Sequence, residues 1–313
     1  MAYETGTASS PHDLLDKLRV FIAANGWTIE QWLQINGGNP DIGYRLVVSK
    51  GGNYWGLRSG VDKDPRFESN STFSSISAIF VTGFDGHNSG AELDAQTNYA
   101  GNFVFAKTLA AGVDNYWFFT NENNSAVFVV LEYQTDTYSF LSFGVTENVE
   151  RQFFTATSNA LDKNDDGDSR PAFWAEASDE TNYIKKTNGS WGANLSQSIS
   201  NSVGGIFIAS RGHPNYGQDT DGKGWHSRSS AGYSGITAFQ HIYQFERDAA
   251  AGNAYRYCGT VDGAYYVNLK LLQPKQELSI GSDTYIVFPF YQKPSPFSVA
   301  EVHSRGVAIK KVV

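Results

Sequence analysis

Residues 115–144, NYWFFTNENNSAVFVVLEYQTDTYSFLSFG, carry the pattern from which the fold is read. Three apolar runs, Tyr116 to Phe119, Ala126 to Tyr133 and Tyr138 to Phe143, are separated by the polar clusters Asn121 to Ser125 and Gln134 to Thr137. Aromatic and β-branched side chains dominate, and each run has the length of a strand. Asn, Asp and Thr in the connections hydrogen-bond their own backbone and favour tight turns, so the stretch reads as an antiparallel meander. The middle run, Val127 to Leu131, is apolar without interruption. That suits a strand covered on both faces better than one with a wet side. Something must therefore pack on each side of the meander. An amino-terminal helix and the remaining strands are the expected cover.

The helix is read from Ser10 as N-cap, Pro11 in the first turn, Asp13 three residues after the cap, and Leu14, Leu15, Leu18, Phe21 and Ile22 at helical spacing. Asn25-Gly26 ends it with a pair that tolerates the left-handed conformation. A short amphipathic helix is not stable alone, so it is expected to dock on the sheet. Trp27 to Ile35, Tyr44 to Ser49, Tyr54 to Arg58 and Ile76 to Gly83 read as strands, and Phe103 to Lys107 as a strand that pairs locally. Between the last two lies a long polar excursion, FDGHNSGAELDAQTN.

After residue 150 the texture changes. Residues 151–235 are rich in acidic residues, Ser, Gly and Asn, with few apolar runs, and read as a loop-rich elaboration. Strand pattern resumes in Ala238 to Phe245, Tyr265 to Leu272, Thr284 to Tyr291 and Val307 to Val313. The fold expected is mainly β: an antiparallel, sandwich-like domain with one amino-terminal amphipathic helix and a loop-rich insertion. Residues 1–150 supply the helix and β core, and residues 236–313 the strands that complete it.

Composition narrows the function classes. The formal net charge is -8, whereas binding a phosphate backbone needs a concentrated Lys/Arg surface, so no nucleic-acid partner is expected. A single cysteine, Cys258, excludes an intrachain disulfide and any cysteine-based metal cluster. No segment approaches ~18 continuous apolar residues, so no membrane insertion is expected. The polar, acidic opening lacks the pattern of a signal peptide, and synthesis in a cytoplasm is the expectation.

One local motif points to metal. In DKNDDGD, Asp162, Asn164, Asp166 and Asp168 stand at alternate positions around Gly167, which places oxygen donors as a calcium loop does. Phe173 occupies the twelfth position, where a bidentate Glu belongs, and an acidic turn is the competing reading. Calcium is the one cofactor this pattern would admit. His213, His226 and His241 match no common zinc spacing. Asp85, Glu92 and Asp94 share one loop and are the carboxylates nearest to a glycosidase-like set, although among 32 acidic residues some proximity is expected by chance. Trp174, Trp191, Tyr216, Trp225 and Tyr233 sit in polar, loop-like sequence. Their flat faces suit either stacking on sugar rings or packing against a neighbouring subunit.

The opening YETGTASSPHDLLDKLRVFIAANGWT resembles the start of a family of virion-associated structural proteins of tailed bacteriophages. The resemblance continues in GGNYWGLRS (51–59), AIFVTGFDG (78–86), NYWFFT (115–120), VFVVLEYQTDTYSFLSFG (127–144) and DTYIVFPF (283–290). It is best over residues 1–150, moderate near the carboxyl terminus and loose between. The resemblance implies a non-enzymatic part of the virion in the tail, baseplate or fibre-attachment region. Its partners would be other tail or baseplate proteins and further copies of itself in a symmetric homo-oligomer. The alternative is a receptor-binding module that grips a host-surface glycan through the loops of residues 186–235.

Overall fold

The computed structural model describes residues 2–35, 43–60, 77–101, 103–147, 151–158, 182–186, 188–193, 206–208, 239–248, 254–269, 271–289 and 305–312. In chain order the first elements are β1 (Tyr3–Ala8), α1 (Pro11–Ala24), β2 (Thr28–Gln34), β3 (Tyr44–Lys50), β4 (Asn53–Gly60), β5 (Ala78–Phe84) and β6 (Val104–Lys107). There follow β7 (Val113–Thr120), β8 (Ala126–Gln134), β9 (Thr137–Val145), β10 (Gln152–Ser158), β11 (Asn182–Lys185) and β12 (Trp191–Ala193). The chain closes with β13 (Ile206–Ile208), β14 (Gln240–Asp248), β15 (Ala254–Asn268), β16 (Glu277–Ile280), β17 (Asp283–Pro289) and β18 (Arg305–Lys311).

The expected meander is β7-β8-β9, antiparallel throughout. It forms the middle of a seven-stranded sheet of order β1-β7-β8-β9-β10-β11-β12. A five-stranded sheet, β2-β3-β4-β5-β6, and a six-stranded sheet, β13-β14-β15-β18-β17-β16, complete a mainly β, sandwich-like architecture. Period-two alternation divides the meander's side chains between two cores. Val127, Val129 and Leu131 of β8 join Phe118, Leu141 and Phe143 in a core shared with α1 and the five-stranded sheet. Phe128 and Val130 join Phe119, Phe140, Ile286, Phe288, Val307 and Ile309 in a core shared with the six-stranded sheet. An unbroken apolar run is thus what a middle layer requires.

The helix begins and ends where its signals stand. Ser10 Oγ accepts the Asp13 N–H at 3.1 Å, and the Asp13 carboxylate accepts the Ser9 N–H at 2.8 Å. Gly26 follows with φ +74°, a conformation open to glycine. Leu14, Leu15, Leu18 and Ile22 are fully buried, each such side chain contributing about 1.5–3 kcal/mol of gross burial energy. The β3–β4 hairpin turns on Gly51-Gly52, both with positive φ, as a two-residue turn of the right twist demands.

Two features add to the sequence reading. The described part of residues 151–235 is not only loop, since β10, β11 and β12 extend the seven-stranded sheet. Phe153 and Phe154 are adjacent and fall on opposite faces, so each core receives one ring. The carboxyl-terminal strands form a sheet of their own and supply the cover expected on the meander's second face.

A buried carboxylate ties the layers at one end of the meander. Glu132, 2% exposed, accepts from Asn115 Nδ2 at 2.8 Å, from the Asp136 N–H at 2.9 Å and from Lys275 Nζ at 2.9 Å. Burial alone would raise its pKa; the hydrogen bonds and the Lys275 charge outweigh that and hold it below the usual Glu range. Its contribution is therefore present above the ordinary Glu value of about 4.3 and lost as pH falls through the lowered one. Glu132→Gln should lower the melting temperature at neutral pH. In calorimetric scans across acid pH, the difference from wild type should shrink as pH falls below about 4.

Candidate functional site

Of the five aromatic residues read as contacts, Trp191 is described, and it lies on a strand. The edge strand β12 pairs with β11, setting Trp191 opposite Lys185. A Cβ on Gly83 would stand 2.4 Å from the Trp191 ring, so the indole lies directly on the glycine backbone. The ring meets Phe154 at 5.3 Å, and Nε1 donates to Asn98 O at 3.0 Å. Trp191 is thus partly buried and engaged within its own chain, where the sequence reading placed it in a contact loop. Trp174, Tyr216, Trp225 and Tyr233 lie outside the described residues, as do the calcium-loop residues Asp162, Asn164, Asp166 and Asp168, and His213 and His226. His241 is exposed on β14, its ring 5.0 Å from that of Tyr265. Among the described residues no group of three or more His, Cys, Asp or Glu is placed to hold a metal ion. No described helix is long and apolar enough to cross a membrane.

The polar excursion after β5 is ordered by one glutamine. Gln96 Nε2 donates to Asn88 O at 2.9 Å and Ala91 O at 3.0 Å, while its Oε1 accepts the Asn88 N–H at 2.7 Å. This holds Leu93 against Val47, Phe80, Phe84 and Phe105 on the outer face of the five-stranded sheet. The candidate carboxylates of this loop are used as braces. Asp85 pairs with Lys185 and accepts from Asn98 Nδ2 at 2.8 Å. Glu92 pairs with the buried Arg45, whose Nη1 also donates to Ala91 O at 3.1 Å. Asp94 sits in a short 3-10 turn, Leu93–Ala95. A glycosidase needs one protonated carboxyl facing one free carboxylate, and Asp85 and Glu92 are each held by a cation instead.

One serine–histidine pair also exists, and sequence reading missed it. His12 Nδ1 and Ser59 Oγ are 2.7 Å apart, and the same oxygen accepts the Tyr44 N–H at 2.9 Å. Ser59 is fully buried, and a Cβ on Gly43 would stand 2.3 Å from its oxygen. A nucleophile needs space for an incoming carbonyl, and this hydroxyl has backbone there instead. Burial lowers the His12 pKa and favours the neutral ring. The pair closes the start of α1 onto β4.

What the described surface offers is edges. Strand β2 lies at one end of the five-stranded sheet and β16 at one end of the six-stranded sheet. Leu33 on β2 is 46% exposed and Ile280 at the end of β16 is 51% exposed. Beside Leu33, Trp32 stacks on Tyr44 at 4.7 Å, and the Arg19 guanidinium lies 5.1 Å over the indole. Backbone groups along an edge, with an apolar side chain and a stacked aromatic pair beside them, suit addition of another chain.

A second polar cluster lies where the seven- and six-stranded sheets meet. It contains Glu122, Glu147, Asp262, Asp283 and Lys310, drawn from segments far apart in sequence. No local motif could have announced it. No protein-family model matches this chain, and no curated protein matches it.

Proposed function

We propose that this protein is a non-enzymatic structural component of a tailed-phage virion, working by packing against copies of itself and against other tail or baseplate parts. The observation that supports this most is the pair of sheet edges, β2 and β16, that carry exposed Leu33 and Ile280 on a doubly cored scaffold. The phage-like stretches of sequence provide the virion context. Many of their residues lie in the cores, Val127 to Phe143 above all, so they specify the scaffold. The bracing of Asp85 and Glu92 by Lys185 and Arg45 favours a mechanical role for the excursion loop over a chemical one.

The test is association. Light scattering of the purified chain across a hundredfold concentration range should show a defined oligomer. Leu33→Lys or Ile280→Lys should shift it towards monomer with the melting temperature within about 1 °C of wild type, as expected for an exposed position. A chain that stays monomeric throughout, and binds a host glycan on an array, would replace this reading with the receptor-binding one.

A further inference from the structure

The two oxygens of the buried Glu132 hold groups that can react with each other. Oε2 accepts from Asn115 Nδ2 at 2.8 Å, and Oε1 accepts from Lys275 Nζ at 2.9 Å. An amide and an amine thus share one carboxylate that is 2% exposed. Asn115 stands directly opposite Glu132, on β7. Lys275 comes from the connection between β15 and β16, in the layer that covers the meander. Asp136 Oδ1, 3.5 Å from Nζ, is a second acid beside the amine.

The backbone is shaped to deliver that amine. Lys275 has φ +64°, a left-handed conformation that costs a residue other than glycine about 1–2 kcal/mol. Its N–H donates to Val287 O at 2.8 Å, which fixes the residue against β17. Strain of this kind persists only where the surroundings hold it, and it gathers at reactive sites.

We propose that Lys275 and Asn115 are the two halves of an autocatalytic isopeptide crosslink, with Glu132 as the proton carrier between them. The Lys275 ammonium gives a proton to Glu132, and the freed Nζ attacks Asn115 Cγ. The Nζ–Cγ bond forms and the Cγ–Nδ2 bond breaks. Two of the three ammonium protons pass to Nδ2, which leaves as ammonium, so atoms and charge balance without an oxidant or co-reactant. Held in one fold, amine and amide react as an intramolecular pair. Burial alone would lower the Lys275 pKa; the hydrogen bond to Glu132 and its charge outweigh that and raise it. The resting form is therefore an ion pair, and bond formation waits on proton transfer along the 2.9 Å contact. Crosslinking is accordingly slow and accumulates as the folded chain ages. The product ties the six-stranded sheet covalently to the meander. The acid-pH behaviour of Glu132 given above belongs to the chain before this bond forms, and the crosslink does not depend on the packing role proposed above.

The test is intact-mass spectrometry of the full-length chain, fresh and after prolonged incubation at neutral pH. A species lighter by one ammonia should accumulate, and its digest should contain a branched peptide that joins Asn115 to Lys275. Lys275→Arg keeps the cation but removes the nucleophilic amine, so this variant should retain its full mass. Asp85 holds Lys185 and Asn98 in the same manner but with a quarter of its side chain exposed, so the branch should not map to those two. A wild type that keeps its full mass would overturn the crosslink. So would a loss of ammonia that survives Lys275→Arg, or a branch at Lys185 and Asn98 alone.

Discussion

Trp55→Ala is expected to destabilise the chain by about 4–5 kcal/mol, at the upper end for truncating a buried aromatic. Trp55 is fully buried, its ring 5.1 Å from Trp27 and 6.1 Å from Phe143, in the core between α1, the five-stranded sheet and the meander. The indole also reaches across the layers, its Nε1 donating to Phe153 O of β10 at 3.0 Å. Alanine would leave a large cavity and a buried carbonyl without its donor, and the two costs add. Trp55→Phe keeps most of the volume and loses the hydrogen bond, so it should cost only about 1–3 kcal/mol. Denaturant titration of both variants separates packing from polar satisfaction. A loss below about 2 kcal/mol for Trp55→Ala would mean that the two sheets do not meet at this ring.

Gly112→Ala should cost about 3 kcal/mol or more, although it adds a single methyl group. Gly112 has φ +93°, in a tight turn closed by the Leu109 N–H to Gly112 O at 3.0 Å and its reciprocal at 2.9 Å. A Cβ there would lie 1.8 Å from Ala8 O and 2.7 Å from Ser10 N. Both are backbone atoms, so no rotamer change relieves the contact. Ala8 ends the edge strand β1 and Ser10 caps α1, and the alanine therefore pushes on both at once. Hydrogen exchange should show protection lost over Tyr3–Ala8 and the first turn of α1, ahead of the meander. Gly51→Ala is the control: its φ is also positive, yet a Cβ there meets nothing within 4 Å, so only the left-handed cost of about 1–2 kcal/mol applies. Equal losses for the two variants would contradict the close approach of Gly112 to β1.

Short-range signals served the reading of α1 well. Ser10, Pro11 and Asn25-Gly26 act through atoms a few residues away, so their effect is written locally. The hairpin turns and the β7-β8-β9 meander followed for the same reason. The candidate sites fared differently. Trp191 stands among Asn188, Gly189 and Ser190, and nothing nearby reveals that Gly83 leaves a flat bed for its ring. Asp85 and Glu92 look available in sequence because Lys185 and Arg45, which neutralise them, arrive from other strands.

Residue order alone established a chain of antiparallel strands with one capped helix and a central strand that had to be covered on both sides. Alternation and turn chemistry are properties of neighbours along the chain, and they survive in any tertiary setting. Which layer covers which face, and which charges meet, arose only when the sheets stacked. The contact of Trp55 with Phe153 and the backbone bridge of Glu147 with Thr260 join segments whose local patterns carry no mark of each other. Burial and charge proximity depend on distance through space, and sheet stacking sets that distance.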